Sequence, residues 1–190
     1  MNNHTHISPN VNRIKRTFDI AVAISLLALL WPFLILISVL VKMSSSGPII
    51  YSQRRLGRIC HDRTEFFDMY KFRTMCNKAE AGTGAVWAVE NDPRLTTLGK
   101  LLRKTRLDEL PQLINVMKGE MSIVGPRPER PEIVMKLDVL IPYYSERTYG
   151  VLPGITGLAQ VYQGYDSSIE DVKSKILYDF AYSLSLTKLN

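Results

Sequence analysis

The chain lacks the residues that build disulfide scaffolds and metal clusters. It has only two cysteines, Cys60 and Cys76, in 190 residues. Neither stands in a CxxC or Cys/His ligand pattern, which excludes a disulfide framework and a structural zinc site. Free thiols in a reducing compartment are the simplest account. There is no Walker A loop and no GxGxxG, and Gly82-Thr83-Gly84 is too slight to cradle a phosphate. No internal repeat is present. Charge is missing altogether from Ile20 to Val41, a run of 22 residues.

That run is about 33 Å long as a straight helix, enough to reach across a bilayer. A cleaved signal peptide fits poorly, because the apolar stretch is too long and no clean small-residue cleavage site follows. Pro32 sits near its middle, where it removes a hydrogen bond and clashes with the preceding turn. Both flanks are basic: Arg13, Lys15 and Arg16 before, Lys42, Arg54, Arg55 and Arg58 after. Each flank is drawn to the cytoplasm, and a straight span satisfies only one. A bend at Trp31-Pro32 satisfies both, with each arm reaching about mid-bilayer. A kinked but spanning helix is the alternative, since proline is tolerated in membrane helices.

The rest of the chain suits one small domain. Hydrophobic residues make up 46%, concentrated near the N-terminus, and the formal charge is +6 with pI ≈ 9.3. A basic balance points to an anionic partner: phospholipid head groups, a nucleotide or nucleic acid. Ser44-Ser45-Ser46-Gly47-Pro48 reads as a turn, Ile49–Tyr51 and Glu65–Phe72 as short strands joined by a loop at Arg58–Asp62. Lys78–Gly84 reads as a polar connection. Thr96 or Thr97 can cap a helix through Arg106, with Leu98, Leu101 and Leu102 on one face. Pro131–Leu140 and Ile169–Ser183 read as later helices. The first ten residues read as disordered.

The densest chemistry lies at Arg103-Lys104-Thr105-Arg106-Leu107-Asp108-Glu109-Leu110-Pro111-Gln112. Leu110, Leu113, Ile114 and Met117 repeat at helical spacing, and Gly119 can close the helix in the left-handed region. Asp108 is then a candidate N-cap with Pro111 in the first turn. A helix N-terminus favours both a carboxylate and an incoming phosphate. A capped surface helix would look the same. Around this pair stand Lys71, Arg73, Arg103, Arg127 and Arg147. Guanidinium forks hold phosphate oxygens in bidentate geometry. Any one of these cations taken singly fits a surface salt bridge. Arg127 differs, because Pro126 and Pro128 stiffen its backbone for a fixed contact. Pro153–Gly157 reads as a turn that brings backbone close to a ligand, or as a tight hairpin.

The chain resembles the bacterial sugar transferases, monotopic phosphoglycosyl transferases, in seven ordered blocks from about residue 13 to about residue 180. These are Lys15-Arg16-Thr17-Phe18-Asp19, Gly47 to Gly57, Tyr70-Lys71-Phe72-Arg73-Thr74-Met75, Asn91-Asp92-Pro93-Arg94, Leu107 to Gln112, Gly125 to Pro128, and Pro153 to Val161. One departure is Trp31, where family members often carry a Ser before the breaking Pro. The resemblance implies a helix-rich α+β monotopic membrane protein. Residues 1–12 would be a flexible tail, 13–43 a re-entrant, Pro-broken membrane helix bent at Trp31 and Pro32, and 44–190 a cytoplasmic catalytic domain with short strands.

The resemblance also implies the reaction. A phosphosugar passes from a UDP-sugar to polyprenyl (undecaprenyl) phosphate, giving polyprenyl-diphospho-sugar and UMP, as the first membrane step of glycoconjugate assembly. Asp108 would be the nucleophile of a covalent intermediate and Glu109 would assist metal or proton handling. Lys71, Arg73, Arg103, Arg127 and Arg147 would bind substrate phosphates. Mg²⁺, or Mn²⁺ in its place, would be held by Asp108 and Glu109. The expected partners are the UDP-sugar, the polyprenyl phosphate, anionic phospholipid at the cytoplasmic face of the bacterial inner membrane, and downstream glycosyltransferases. Nucleic acid is not expected, since the cations are dispersed among acidic motifs and no binding motif appears. A membrane-anchored nucleic-acid binder and a non-catalytic scaffold are the competing classes. Intact Asp108-Glu109 argues against the scaffold.

Overall fold

The computed structural model describes residues 7–76, 92–163 and 169–188. The expected connection at Lys78–Gly84 lies outside them. Helix α1 spans Pro9–Ser44, 36 residues, and Ser8 caps it by accepting the Val11 N–H at 3.3 Å. Residues 9–12, expected within a flexible tail, are helical. Helical backbone continues through Pro32. The expected break at Trp31-Pro32 is not an interruption of the helix, because one lost hydrogen bond and a clash with the preceding turn can be absorbed by a kink while the following turns form.

Strands β1 (Ile50–Ile59) and β2 (Thr64–Phe72) form an antiparallel hairpin that pairs Tyr51 with Lys71 and Leu56 with Phe66. Both strands were legible, but β1 runs further than expected. Arg54, Arg55 and Arg58, read as flank and loop, lie within it. Helix α2 (Thr97–Lys104) starts where Thr96 Oγ1 accepts the Gly99 N–H at 2.9 Å. Gly99 lies against the Thr74 carbonyl with no room for a Cβ.

Arg106 then turns the chain through the left-handed region, φ +59°, into a single 3-10 turn at Leu107–Glu109. Helix α3 (Gln112–Lys118) follows, with Pro111 preceding it and Gly119 closing it at φ +85°. The expected C-cap is present, and Asp108 is not the N-cap. It sits inside the 3-10 turn and makes no capping bond, because the left-handed Arg106 starts a separate turn ahead of the helix.

Strand β3 (Ser122–Val124) pairs in parallel with β4 (Gly154–Thr156). The segment expected as a turn or hairpin at Pro153–Gly157 is thus a strand. Gly154 and Gly157 do permit a close backbone approach, but to Gly125. Helices α4 (Pro131–Leu140), α5 (Leu158–Tyr162) and α6 (Ile169–Thr187) complete a helix-rich α+β fold.

Three apolar clusters hold these elements. Phe67 and Met69 of β2 pack with Ala23, Leu113, Val116 and Met121. Phe72 packs with Ile37, Val41 and Leu102. Leu56 joins α4 and α6 through Ile133, Val134, Leu137, Val172 and Ile176. Both halves of α1, on either side of Pro32, therefore pack on the same domain. Residues between them face away from it: Leu29 is 74% exposed and Trp31 59%. Among the described residues α1 is one helix long and apolar enough to cross a membrane.

Candidate active site

The left-handed Arg106 and the 3-10 turn aim Asp108 and Glu109 inward, where their exposures are 5% and 6%. The strain of a left-handed non-glycine residue costs on the order of 1–3 kcal/mol, and here it orients two acids. Glu109 is fully engaged. Lys71 Nζ from β2 donates to Oε1 at 2.9 Å, and Arg127 donates to Oε1 at 2.8 Å and to Oε2 at 3.4 Å. Arg106 Nη1 stands 3.8 Å from Oε1. Burial alone would raise the Glu109 pKa, but Arg127 and Lys71 together hold the carboxyl well below its usual range.

Asp108 is the opposite case. Burial pushes its pKa up, with Glu109 adding to the rise and Lys71, Arg103 and Arg127 opposing it. Its Oδ1 is buried and has no hydrogen-bond partner. One acid of the pair is thus saturated by cations while the other keeps a buried oxygen without a partner. Lys71, pushed down to about 8 by burial and by Arg127, is poised near physiological pH.

The structure brings together Lys71, Asp108, Glu109 and Arg127 from the expected set. Arg103 stands beside them, its Nε donating to Thr74 Oγ1 at 3.1 Å and its charge reaching Asp108. Two expected phosphate ligands are elsewhere. Arg73 is 6% exposed and donates to the carbonyls of Val41 at 3.0 Å and Ser45 at 2.6 Å, and to that of Pro48. It closes the C-terminus of α1, where the last carbonyls have no helical partner. Arg147 is 2% exposed, pairs with Asp179 at 2.7 Å and donates to the carbonyl of Arg127. It braces the loop that presents Arg127. A cation next to a matching motif looks the same in sequence whether it meets a ligand or a carbonyl, so these partners were not foreseen.

Sequence reasoning missed Arg106, whose left-handed backbone has no sequence signature outside Gly, Asn and Asp. Its position three residues before Glu109 was the available signal. It also missed Gln112, 1% exposed with its Nε2 unpartnered. Among the described residues no three His, Cys, Asp or Glu side chains gather as a metal site. Glu109 has both oxygens committed, and Asp108 Oδ1 is the orphaned acceptor within the acid–cation cluster that could meet a cation.

The match to known proteins decides the family. Residues 10–189 match the family model of the bacterial sugar transferases. The chain belongs to the bacterial sugar transferase family. It is 44% identical over 175 residues to a UDP-N-acetylgalactosamine-undecaprenyl-phosphate N-acetylgalactosaminephosphotransferase of Aeromonas hydrophila, covering 92% of this chain and 40% of that protein. It is 44% identical over 170 residues to a UDP-glucose:undecaprenyl-phosphate glucose-1-phosphate transferase of Xanthomonas campestris pv. campestris, covering 88% of this chain and 34% of that one. It is 42% identical over 151 residues to an exopolysaccharide production protein of Rhizobium leguminosarum bv. phaseoli, covering 78% and 73%. The chain thus spans about two fifths and one third of the first two relatives. The bacterial sugar transferase match takes in α1 from its second residue onward and every residue of the acid–cation cluster.

Proposed function

We propose that this bacterial sugar transferase is a phosphoglycosyl transferase that moves a sugar phosphate from a UDP-sugar to undecaprenyl phosphate. The observation that carries the reading is the division of labour between two adjacent buried acids, Glu109 saturated by Lys71 and Arg127, Asp108 with an open oxygen. Asp108 attacks the phosphorus that bears the sugar. The bond from that phosphorus to the bridging oxygen breaks, and its electron pair leaves on UMP. An oxygen of the acceptor phosphate then attacks the same phosphorus, freeing Asp108 and giving undecaprenyl-diphospho-sugar. Splitting one displacement between two anions into two steps is the benefit of a covalent intermediate. Lys71 and Arg127 supply positive charge where phosphates meet. A Mg²⁺ held by Asp108 and substrate phosphates would neutralise further charge.

The anchoring follows from α1. Arg16 donates to the carbonyls of Val116 and Met117, and Arg73 to that of Val41. A straight helix rises about 38 Å between Arg16 and Val41, more than the hydrocarbon core of a bilayer. A spanning α1 would place these contacts on opposite sides of the membrane, and one folded domain cannot make both. We therefore read α1 as entering and leaving the same face, with the exposed stretch around Leu29 to Phe33 in lipid. That brings a soluble nucleotide sugar and a lipid acceptor to one surface, at the cytoplasmic face of the inner membrane.

The test is UMP release by detergent-solubilised protein given undecaprenyl phosphate, Mg²⁺ and a panel of UDP-sugars. Asp108→Asn should abolish release while the melting temperature stays within a few degrees, since it keeps size and removes the nucleophilic charge. Near wild-type release from Asp108→Asn would rule out the covalent route.

A further inference from the structure

Two backbone carbonyls bracket the turn that presents Arg127, and one face of α6 holds both. Tyr182 Oη donates at 2.7 Å to the carbonyl of Val124, the last residue of β3. Three residues earlier on α6, Asp179 accepts from Arg147 Nη1 at 2.7 Å, and Nη2 of that guanidinium donates to the Arg127 carbonyl. Residues three apart share a helical face. Only Gly125 and Pro126 stand between the two carbonyls, and both are tied to β4. The Gly125 N–H donates to the Thr156 carbonyl and the Gly154 N–H to the Pro126 carbonyl, each at 2.8 Å. Pro126 is fully buried, with φ fixed by its ring. Arg127 therefore projects from a backbone with little slack, and its side chain meets Glu109 Oε1 at 2.8 Å.

The Tyr182 hydroxyl is surplus to packing. Tyr182 is 9% exposed, so a phenyl ring would fill the same space with no polar atom to desolvate. It is also surplus to the carbonyl's own need, since Lys15 Nζ lies 3.0 Å and Ser122 Oγ 2.9 Å from the Val124 oxygen. What the hydroxyl adds is a restraint between the last helix and the turn, at the end that Arg147 does not hold.

We propose that Tyr182 is a positioning residue for the transfer: its hydroxyl, through the Val124 carbonyl, sets where Arg127 stands beside Glu109. This rests on the phosphoglycosyl transfer reading and adds to it a residue that acts only through Arg127. Without the bond, the turn can pivot about the Arg147 tie and carry Arg127 away from the phosphate it neutralises. A misplacement of about 1 Å can cost on the order of a hundredfold in rate. The other ties remain here, so the loss is smaller.

The experiment is a double-mutant cycle on UMP release by the detergent-solubilised full chain, with Tyr182→Phe and Arg127→Lys made singly and together. Tyr182→Phe should lower kcat/KM about tenfold, with the melting temperature within a few degrees of wild type. In the Arg127→Lys background the same change should cost less than twofold, because the contact it serves is already lost. Equal fold losses in both backgrounds would make the hydroxyl a general structural contact and overturn the proposal. A Tyr182→Phe enzyme within twofold of wild type would overturn it too. Hydrogen exchange gives a readout independent of turnover. Tyr182→Phe should speed exchange several-fold in peptides covering residues 124–129 and leave the β1–β2 hairpin unchanged. Uniform acceleration along the chain, unaltered exchange at the turn, or loss of cooperative unfolding would each refute the positioning role. If the unaltered chain releases no UMP from any UDP-sugar, the transfer reading fails, while the exchange pattern still decides whether Tyr182 holds the Arg127 turn.

Discussion

At the scale of single residues, the site separates two tasks that share one type of side chain. Glu109 is ionised and saturated, and Asp108 is destabilised and open. Lys71 couples them, its pKa pushed down to about 8 by burial and by Arg127, and the proposed transfer should have an alkaline limit. Activity should fall as pH rises through about 8, because neutral Lys71 no longer pairs with Glu109 or attracts phosphate. Stability should behave differently. The folded pKa of Lys71 lies below its unfolded value of 10.5, so between these values the unfolded chain binds more protons. Stability contributed by this group therefore rises with pH across that window. A pH series of UMP release beside melting temperature checks this; parallel loss of both above pH 8 would remove Lys71 from the explanation. Arg127→Lys should cost roughly 1–3 kcal/mol in kcat/KM, since one ammonium cannot reproduce the two-pronged contact with Glu109. An unchanged kcat/KM would reduce Arg127 to a surface charge.

At the scale of elements, the site depends on buried polar braces that hold loops against helices. Arg147 and Asp179 form one such brace, and both are 2% exposed. Arg147→Ala leaves a carboxylate buried without its cation, a loss of about 3–5 kcal/mol. Denaturant unfolding should show that loss, and any rise in donor KM should be secondary to it. A large KM effect with unchanged stability would return Arg147 to the phosphate ligands first expected. A second brace joins α1 to β3: Asp19 Oδ1 accepts from Ser122 Oγ and Ile123 N–H, both at 3.0 Å. Helices α1 to α4 and α6 and both hairpin strands were legible because period and capping residues announce them locally, whereas α5 was not read. The 3-10 turn at Asp108, the parallel pairing of β3 with β4, and the roles of Arg73 and Arg147 were not. Each depends on partners far along the chain, and Gly154 in particular reads as a turn residue until Gly125 is seen against it.

At the scale of the whole molecule, one helix is tied at both ends to the parts that carry the site. Lys15 Nζ donates to the Val124 carbonyl at 3.0 Å, three residues before Arg127. Arg73, two residues after Lys71, holds the far end of α1 through Val41 and Ser45. A protein that inserts α1 from one side can keep both ties, and a protein that threads it across the bilayer must break one. Single cysteines at Asn10 and Ser46, both exposed beyond the apolar run, should therefore resist a membrane-impermeant thiol reagent in intact cells, in a background lacking Cys60 and Cys76. Both should react once the cells are opened. Pro32→Leu restores a full set of helical hydrogen bonds, which lipid favours, and should shift part of the population toward a spanning form with Asn10 labelled from outside. Those spanning molecules should be inactive, because the tie at Lys15 or the tie at Arg73 is lost. Labelling of Asn10 in the unaltered chain, with UMP release intact, would refute the one-sided insertion of α1. If Pro32→Leu leaves topology and activity alone, the two ties by themselves suffice to hold α1 on one face, and Pro32 serves only to loosen the helix between them.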